Sequence, residues 1–328
     1  MTSFDHVTGR DRYFAAKERE LDALLDPETG MLSRRFAREI HCPLCGAESF
    51  SRLFVKRGYT IVRCDECDLV YANPQVDESV LLDEYRDGGS SDLWVDVLTS
   101  EPQLRLDREK FSEILDELEP YRGRGRLLDV GCSIGLCLHL AEQRGWEGVG
   151  TELGKRALAH ARDRFAVEVI EKPLADAGFE PASFDVVALS SVLEHTREPR
   201  RMLREVGELL RPGGALYLIV PNVESLACRV LHERAATFDG RNHLIYFSPR
   251  TLRDALAREH FEVVEMHTRT SSLTPVLDWL GYREPYSDAD TGDDPLAREL
   301  LRNLDRTEAL IEELHLGYKL HCLAVRGG

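Results

Sequence analysis

The chain has 328 residues, and its 58 acidic side chains outnumber 42 basic ones, which leaves a formal net charge of −16. Such a surface repels polyanions, so the composition argues against nucleic acid or an anionic membrane as the main partner. No apolar run approaches the roughly 18 residues that a membrane-spanning helix needs, and the first residues form no apolar signal segment, so we expect a cytoplasmic protein.

Three segments of different composition precede the regular part of the chain. Residues 1–40 carry apolar side chains at helical spacing and predict a helical lead-in. Residues 41–75 form a cysteine-rich module that ends in a strand-like segment, LVYANP. Residues 76–101 are polar and contain consecutive glycines and serines, which indicates a linker or a lid segment.

From residue 102 to residue 328, short apolar strands alternate with helical segments. This alternation is typical of a doubly wound α/β fold, and we expect a seven-stranded, mostly parallel sheet of Rossmann-like form. An insertion over residues 275–315 interrupts the pattern. It predicts a surface loop rich in Asp, Gly and Pro up to residue 294, and then one helix from residue 295 to about residue 314.

The cysteines divide into two sets. Four of them form Cys-x-x-Cys pairs separated by 18 residues: Cys42 with Cys45, and Cys64 with Cys67. This spacing predicts a tetrathiolate zinc site; the alternative of two redox dithiols would require a thioredoxin-like setting that the pattern lacks. Four thiolates leave no open coordination position, so the predicted zinc ribbon is structural. The other four lie in apolar segments and are expected to be buried: Cys132, Cys137, Cys228 and Cys322.

A glycine-containing loop lies where the first strand of the predicted sheet turns into a helix. Its sequence, DVGCSIG, runs from Asp129 to Gly135, and Glu152 ends the next strand. Small residues let a ligand approach the backbone, and an acid in that position accepts hydrogen bonds from ribose hydroxyls. A dinucleotide fingerprint would require glycine at positions 131, 133 and 136, and two of the three fail. The pattern therefore predicts a nucleoside-bearing ligand other than a dinucleotide.

Five segments, in this order, resemble the class I S-adenosylmethionine-dependent methyltransferases from about residue 104 to residue 328: LLDVGCSIG, GVGTELG, SFDVVALSSVLEHTREP, LLRPGGALYLIVPN and NHLIYFSPRTL. The resemblance implies S-adenosylmethionine as cofactor, with Glu152 on the ribose diol and with Leu153 and Leu174 near the adenine. Ser133 stands where the family more often has glycine, and we expect binding to survive. The implied cofactor residues are Asp129, Gly131, Cys132, Ser133, Gly135, Glu152, Leu153, Leu174 and Ser190.

Two histidines are candidates for the chemistry. Methyl transfer needs a base only when the acceptor atom must lose a proton. His195 follows the fourth strand of the sheet, and its alternatives are a base or a packing or capping residue. His243 and Tyr246 are similar to the His-x-x-Tyr element of sugar C-methyltransferases, which also carry an amino-terminal zinc ribbon. A glutamate usually precedes that histidine, whereas this chain has Asn242. His243 is either the base or an anchor for its loop, and the resemblance makes Tyr246 a third catalytic candidate.

Taken together, these patterns predict methyl transfer from S-adenosylmethionine to a small molecule such as a sugar or a natural-product intermediate, at oxygen, nitrogen or carbon. Arg241 is a candidate partner for an acidic acceptor group, and Glu194 either orients a histidine or caps a helix. We expect neither nucleic acid nor a membrane as partner, and a homodimer is left open. The competing hypothesis is a non-catalytic protein that senses S-adenosylmethionine and binds a partner through its ribbon.

Overall fold

The computed structural model describes residues 4–81, 89–286 and 294–327. The helices are α1 (Phe4–Thr8), α2 (Arg10–Ala23), α3 (Ser90–Thr99), α4 (Glu101–Leu118), α5 (Leu136–Gln143), α6 (Lys155–His160), α7 (Pro199–Leu209), α8 (Leu226–Leu231), α9 (Pro249–Arg258), α10 (Thr274–Leu280), α11 (Pro295–Arg302) and α12 (Leu304–Glu313). The strands are β1 (Ala37–Arg38), β2 (Phe50–Lys56), β3 (Tyr59–Cys64), β4 (Val70–Ala72), β5 (Gln75–Val76), β6 (Arg126–Val130), β7 (Glu147–Thr151), β8 (Glu168–Ile170), β9 (Phe184–Ser190), β10 (Leu210–Pro221), β11 (Ile245–Tyr246), β12 (Phe261–Arg269) and β13 (Lys319–Arg326). In these ranges no helix is long and apolar enough to cross a bilayer.

The main sheet has seven strands in the order β12–β13–β10–β9–β6–β7–β8. Strand β13 runs antiparallel to β10 and β12, and the other neighbouring strands are parallel. The predicted seven-stranded, mostly parallel sheet is therefore confirmed. The chain leaves β6 towards β7 on one side and later returns to β9 on the other. The strand order reverses between β6 and β9, and their carboxyl ends form the crevice where open α/β sheets bind ligands.

Both faces of this sheet are covered. In β6, Leu128 and Val130 belong to one buried cluster and Leu127 belongs to another, as the alternation of side chains along a strand requires. In β9, every residue from Phe184 to Leu189 is buried. Apart from Asp185, which pairs with Arg211, the run is apolar, as expected for a strand that helices cover on both sides.

A second sheet joins the cysteine module to the main domain. It has four strands in the order β11–β4–β3–β2, and each neighbouring pair is antiparallel. Strand β11 follows β10 in the chain, and it pairs Ile245 with Tyr71 and Tyr246 with Val70. The module thus takes its edge strand from the segment directly after His243.

Several elements differ from the predictions. The predicted helical lead-in over residues 1–40 is not helical throughout, because its end forms the short strand β1, which pairs with β5. The predicted linker or lid over residues 76–101 includes residues 82–88, which lie outside the described ranges, and the helix α3. The predicted insertion loop contains α10, and the helix expected from residue 295 breaks at Asn303 into α11 and α12. Residues 287–293 of that loop lie outside the described part.

A local core explains the order in this insertion. Apolar side chains from α10, α11 and α12 are buried against one another, so the segment folds onto its own small cluster instead of remaining a surface loop. The segment is polar overall, and its few apolar residues did not indicate helices in the sequence. The buried members are Leu273, Leu277, Ala297 and Ile311.

Gly135 tests the geometry at the start of α5. Its backbone φ is 80°, and an added Cβ would lie 2.8 Å from Val167 Cγ2 and 2.9 Å from Ala161 Cβ. We expect Gly135→Ala to lower the free energy of unfolding by about 2–4 kcal/mol in urea titrations, since left-handed strain and overpacking add. Gly178 has a φ of 74° and open space around it, so Gly178→Ala should lose only about 1 kcal/mol. Equal losses in the two variants would contradict the steric argument.

Candidate active site

The loop after β6 uses left-handed backbone at three positions. The φ angles of Gly131, Ser133 and Gly135 are 68°, 50° and 80°. A Cβ on Gly131 would lie 2.8 Å from Cγ2 of Val192, so a side chain does not fit at this position. Without a side chain, the backbone of Gly131 stays exposed. The positive φ at Ser133 also gives a physical reason why glycine suits that position.

The acid at the end of β7 is tied to this loop. Glu152 Oε2 accepts a hydrogen bond from Ser133 N at 2.8 Å, and Oε1 accepts two from Leu153 N and Gly154 N, each at 2.7 Å. An ionised carboxylate offers about four acceptor positions, so about one is left for a further donor such as a ribose hydroxyl. Glu152 therefore fixes the loop and is suited to hold a nucleoside at the same time.

Asp129 is a buried acid beneath the loop. It is 3% exposed, and among the described residues no donor bonds its carboxylate. Burial, together with the negative charge of Glu152, raises the pKa of Asp129 to about 7, and the positive charge of Lys110 offsets this only in part. A carboxylate in this state is stabilised by a cation, and the sulfonium and ammonium groups of S-adenosylmethionine supply that charge. The residues present thus fit this cofactor.

The remaining predicted cofactor residues lie around the same crevice. Cys132 is buried, and its thiol occupies the space above Gly150, where an added Cβ would lie 2.5 Å from the sulfur. Leu153 is half-buried beside Glu152. Leu174, in a short turn after β8, is 8% exposed and packs in the main core, and Ser190 ends β9 half-buried.

The two histidines lie side by side. His195 belongs to a short 3₁₀ turn after β9, His243 precedes β11, and their ring centroids are 5.0 Å apart. Nδ1 of His195 lies 2.8 Å from the carbonyl oxygen of Asn242, and Nδ1 of His243 lies 2.9 Å from that of Thr237. A carbonyl oxygen can only accept, so each Nδ1 donates its proton. Each Nε2 therefore carries a lone pair that can accept one.

Both rings are neutral at pH 7. Burial lowers the pKa of His195 to about 4, although the carboxylate of Glu194 opposes the shift. Burial likewise lowers the pKa of His243 to about 4, against the opposing charge of Asp239. A neutral imidazole can accept a proton and is therefore suited to act as a base.

A buried ion pair adjoins the histidines. Glu194 is 0% exposed, and neither of its carboxylate oxygens has a hydrogen-bond partner within the described residues. Its Oε1 lies 3.9 Å from Lys319 Nζ and 4.0 Å from His195 Nε2. Lys319 Nζ also donates to Ser191 Oγ at 3.1 Å. Nothing in the sequence pattern singled out Lys319, which reaches this edge because it begins the antiparallel strand β13.

The glycine loop and the histidines are neighbours. Val192, whose side chain limits the space above Gly131, lies two residues before Glu194. Polar atoms of Glu194, His195 and His243 lie within 4.8 Å of one another. The crevice at β6 and the histidine pair are thus parts of one site.

Two other candidate residues have different surroundings from those expected. Tyr246 is 0% exposed, and its hydroxyl accepts a hydrogen bond from Gly240 N at 3.0 Å. Arg241 is 4% exposed, and its guanidinium lies 3.3 Å from a carboxylate oxygen of Glu20. Arg241 therefore pairs with a carboxylate of the protein itself, and its pairing with an acidic acceptor group stays a prediction.

The four paired cysteines form a second, separate cluster. Their sulfurs lie within 4.8 Å of one another, and the separation is 3.5 Å both between Cys42 and Cys67 and between Cys45 and Cys64. Zinc bonds of about 2.3 Å in a tetrahedron place sulfurs about 3.8 Å apart, so the arrangement is consistent with a zinc ribbon. The residue after each pair, Gly46 or Asp68, has a positive φ.

Comparison with known proteins decides the family. Residues 103–266, half of the chain, match the family described as "Methyltransferase domain". The chain belongs to the class I S-adenosylmethionine-dependent methyltransferases. The seven-stranded, mostly parallel sheet agrees with the fold that the resemblance implied.

Similarity to individual methyltransferases covers shorter stretches. The ubiquinone biosynthesis O-methyltransferase of Aeromonas salmonicida (strain A449) is 31% identical over 103 residues, which cover 30% of this chain and 43% of that protein. The Idiomarina loihiensis enzyme of the same name is 33% identical over 106 residues, which cover 30% of this chain and 42% of that protein. The chain thus spans less than half the length of these relatives. A SAM-dependent methyltransferase structure from Archaeoglobus fulgidus superposes with a TM-score of 0.47 at 19% identity, covering 67% of this chain and 94% of that one.

The metal content of the methyltransferase is directly measurable. We expect one zinc per chain by inductively coupled plasma mass spectrometry, and Cys64→Ser should lose it because only three thiolates remain. Cys228→Ser removes a buried cysteine outside the cluster and should keep the full equivalent. A folded, metal-free wild type would contradict the ribbon, and a second equivalent would place metal elsewhere, for example beside the histidines.

Asp129 predicts a pH-dependent affinity for S-adenosylmethionine. With a pKa of about 7, the carboxylate is about one-tenth ionised at pH 6 and about nine-tenths ionised at pH 8. If the ionised form binds the cationic cofactor, calorimetry should show about tenfold weaker binding at pH 6. Asp129→Asn should bind weakly and lose most of this dependence. The same affinity for the wild type at both pH values would contradict the role.

Proposed function

We propose that this protein transfers the methyl group of S-adenosylmethionine to an oxygen atom of a small-molecule acceptor. The observation that supports this most directly is the pair of neutral histidines beside the cofactor crevice, each with its Nδ1 bonded to a backbone carbonyl. A protein that only sensed the cofactor would need the glycine loop and Glu152, but it would not need two bases at the acceptor side. The histidine pair therefore favours an enzyme over a sensor.

Cofactor binding is assigned to the crevice at β6 and β7. The backbone of the glycine loop would accommodate the methionine and ribose portions, Asp129 would balance positive charge, and the remaining acceptor position of Glu152 would take a ribose hydroxyl. When bound there, the cofactor supplies a methyl group on a positively charged sulfur. The protein's main contribution is to hold the acceptor in line with that methyl group and to exclude water.

His243 is the proposed base. Its Nε2 accepts the proton of the acceptor hydroxyl, and its Nδ1 stays bonded to the carbonyl of Thr237, which fixes the ring and stabilises the positive charge that develops. His195 is held in the same way by the carbonyl of Asn242, and its proposed role is to bind or deprotonate the acceptor. We propose that Tyr246 has a packing role, because its ring is enclosed and its hydroxyl is bonded to Gly240.

Whether methyl transfer needs a base depends on which atom accepts the methyl group. A neutral amine attacks through its own lone pair and needs no base beforehand, whereas a hydroxyl or an acidic carbon must lose a proton. The names of the curated relatives specify O-methyl transfer, which supports oxygen. The resemblance of His243 to the sugar C-methyltransferase element leaves carbon as the outcome to exclude by experiment.

Turnover with labelled cofactor tests the proposal. We expect the wild type to form S-adenosylhomocysteine with at least one member of a panel of phenols, catechols and sugars. His243→Gln should lower kcat by about 10²- to 10⁴-fold, while calorimetry shows an unchanged affinity for S-adenosylmethionine. His139→Gln, on α5 and outside the histidine cluster, should leave both quantities unchanged.

Three outcomes would contradict parts of this proposal. Full activity of His243→Gln would exclude it as the base. A methyl group found on carbon by mass spectrometry of the product would exclude oxygen. Tight cofactor binding without turnover on any hydroxylated compound would favour the non-catalytic sensor.

A further inference from the structure

The amino-terminal helix α2 contacts the segment that carries His243. Lys17, on this helix, lies 2.7 Å from Asp239 Oδ2, and the two side chains are 15% and 7% exposed. An ion pair shielded from water to this degree is stronger than one on the surface. The sequence could not identify what residues 1–40 contact. Through Lys17, this segment contacts the loop that carries His243.

Asp239 in turn organises the turn that follows it. Its second oxygen, Oδ1, accepts hydrogen bonds from three consecutive backbone N–H groups: Arg241 at 3.0 Å, Asn242 at 2.9 Å and His243 at 3.0 Å. Burial opposes ionisation of Asp239, but the charge of Lys17, the neighbouring His243 and the hydrogen bonds together outweigh it and hold the pKa of Asp239 below its ordinary value. One ionised carboxylate therefore sets the path of residues 239–243.

Both histidines depend on this turn. His243 is part of it, and its ring bonds back to Thr237 just before the turn. His195 lies on a different loop, yet its Nδ1 bonds to the carbonyl of Asn242 within the turn. A change in the path of this turn would therefore move both Nε2 atoms together.

A second contact fastens α2 one helical turn further on. Glu20 pairs with Arg241, and its two carboxylate oxygens also accept hydrogen bonds from Ser90 N at 2.7 Å and Ser90 Oγ at 2.6 Å. Helix α2 therefore connects the turn of residues 239–243 to the start of α3. Lys17 and Glu20 are three residues apart and lie on one face of α2.

We propose that Lys17 is a positioning residue for methyl transfer, acting through Asp239 on the turn that aligns His243 and His195. This inference rests on the proposed role of the two histidines. Lys17 does not touch the reacting atoms in this scheme. It holds Asp239 in place, and Asp239 shapes the backbone that the histidines need.

The charge of Lys17 has a second effect on the same rings. Besides burial, the charged groups that lower the pKa of His243 are Lys17 and Lys319, and Asp239 raises it. For His195, His243 and Lys17 lower the pKa, and Glu194 and Asp239 raise it. Removing the lysine charge and loosening the turn should both move the two pKa values upward, towards the ordinary value near 6.5.

Hydrogen exchange tests the positioning of the turn without any acceptor. In full-length Lys17→Met protein, amides of residues 241–243 should exchange at least tenfold faster than in the wild type, while those of β9 and β10 stay protected. Lys17→Arg keeps the charge and should restore most of the protection. Glu18→Gln is the matched control, because Glu18 lies on the same helix as Lys17 but pairs with Arg57 instead of with the turn.

Histidine NMR gives the second readout. In the wild type, the rings of His195 and His243 should titrate near pH 4, and in Lys17→Met both midpoints should rise towards 6.5 with wild-type behaviour in Glu18→Gln. If Lys17→Met does not fold, Asp239→Asn replaces the charged acceptor of the three N–H groups by a neutral oxygen and weakens the pairing with Lys17, so the amides of residues 241–243 should again exchange faster. Its histidine midpoints should not rise, because the charge of Asp239 raises both pKa values. Unchanged exchange and unchanged midpoints would overturn the inference.

The design separates this inference from the proposed function. Neither readout uses turnover, so a loosened turn in a protein that methylates no tested compound would support the positioning and count against the enzyme. With an acceptor in hand, Lys17→Met should lower kcat at least tenfold with little change in cofactor affinity. Wild-type kcat in that variant would overturn the role of Lys17 and leave the methyltransferase intact.

Discussion

The arrangement of the site depends on the pairing of β11 with β4. This two-residue strand belongs to the main domain by sequence and to the cysteine module by hydrogen bonding. Directly before it, Leu244 donates its N–H to the carbonyl of Glu194 and accepts one from Ala72, each at 2.9 Å. One residue thus links the ribbon to the turn of His195, and it does so next to His243. A small module with little core of its own gains rigidity from a bound metal, and the shared sheet carries that rigidity to the site.

Charges in the site are arranged as pairs whose partners come from distant parts of the chain. Lys17 meets Asp239, Arg241 meets Glu20, and Lys319 lies near Glu194. Desolvation makes such pairs a weak source of stability compared with apolar packing. These pairs surround two neutral imidazoles and have a second effect there. They fix the orientation of hydrogen-bond donors and acceptors, and their charges influence the pKa values of the two rings.

Much of the main domain was predictable, since its signals are local. Apolar runs identified each strand of the sheet, the glycine loop was visible as consecutive small residues, and the spacing of the cysteines identified a metal cluster. Long-range contacts were not visible. Nothing near Ile245 indicates that it pairs with Tyr71, and nothing near Lys17 indicates that it meets Asp239.

The dependence on long-range contacts also accounts for the errors in the predicted elements. Helix α10 and the break at Asn303 depend on a small cluster contributed by three helices, while the composition of that segment resembles a loop. The pairing of Arg241 with Glu20 was not predictable either, because the two residues lie far apart in the sequence. The hydrogen bond from Gly240 N to the hydroxyl of Tyr246 likewise became visible only in the fold.

The composite four-stranded sheet also has a thermodynamic consequence. Because β11 completes the sheet that adjoins the cysteine cluster, order in residues 239–246 and order in the ribbon are coupled. Coupling between two binding events is reciprocal, so a ligand that orders this segment must strengthen metal binding by the same factor by which the metal strengthens binding of the ligand. The supply of metal to the ribbon would then act as an input to the methyl-transfer site, although no metal takes part in the proposed reaction.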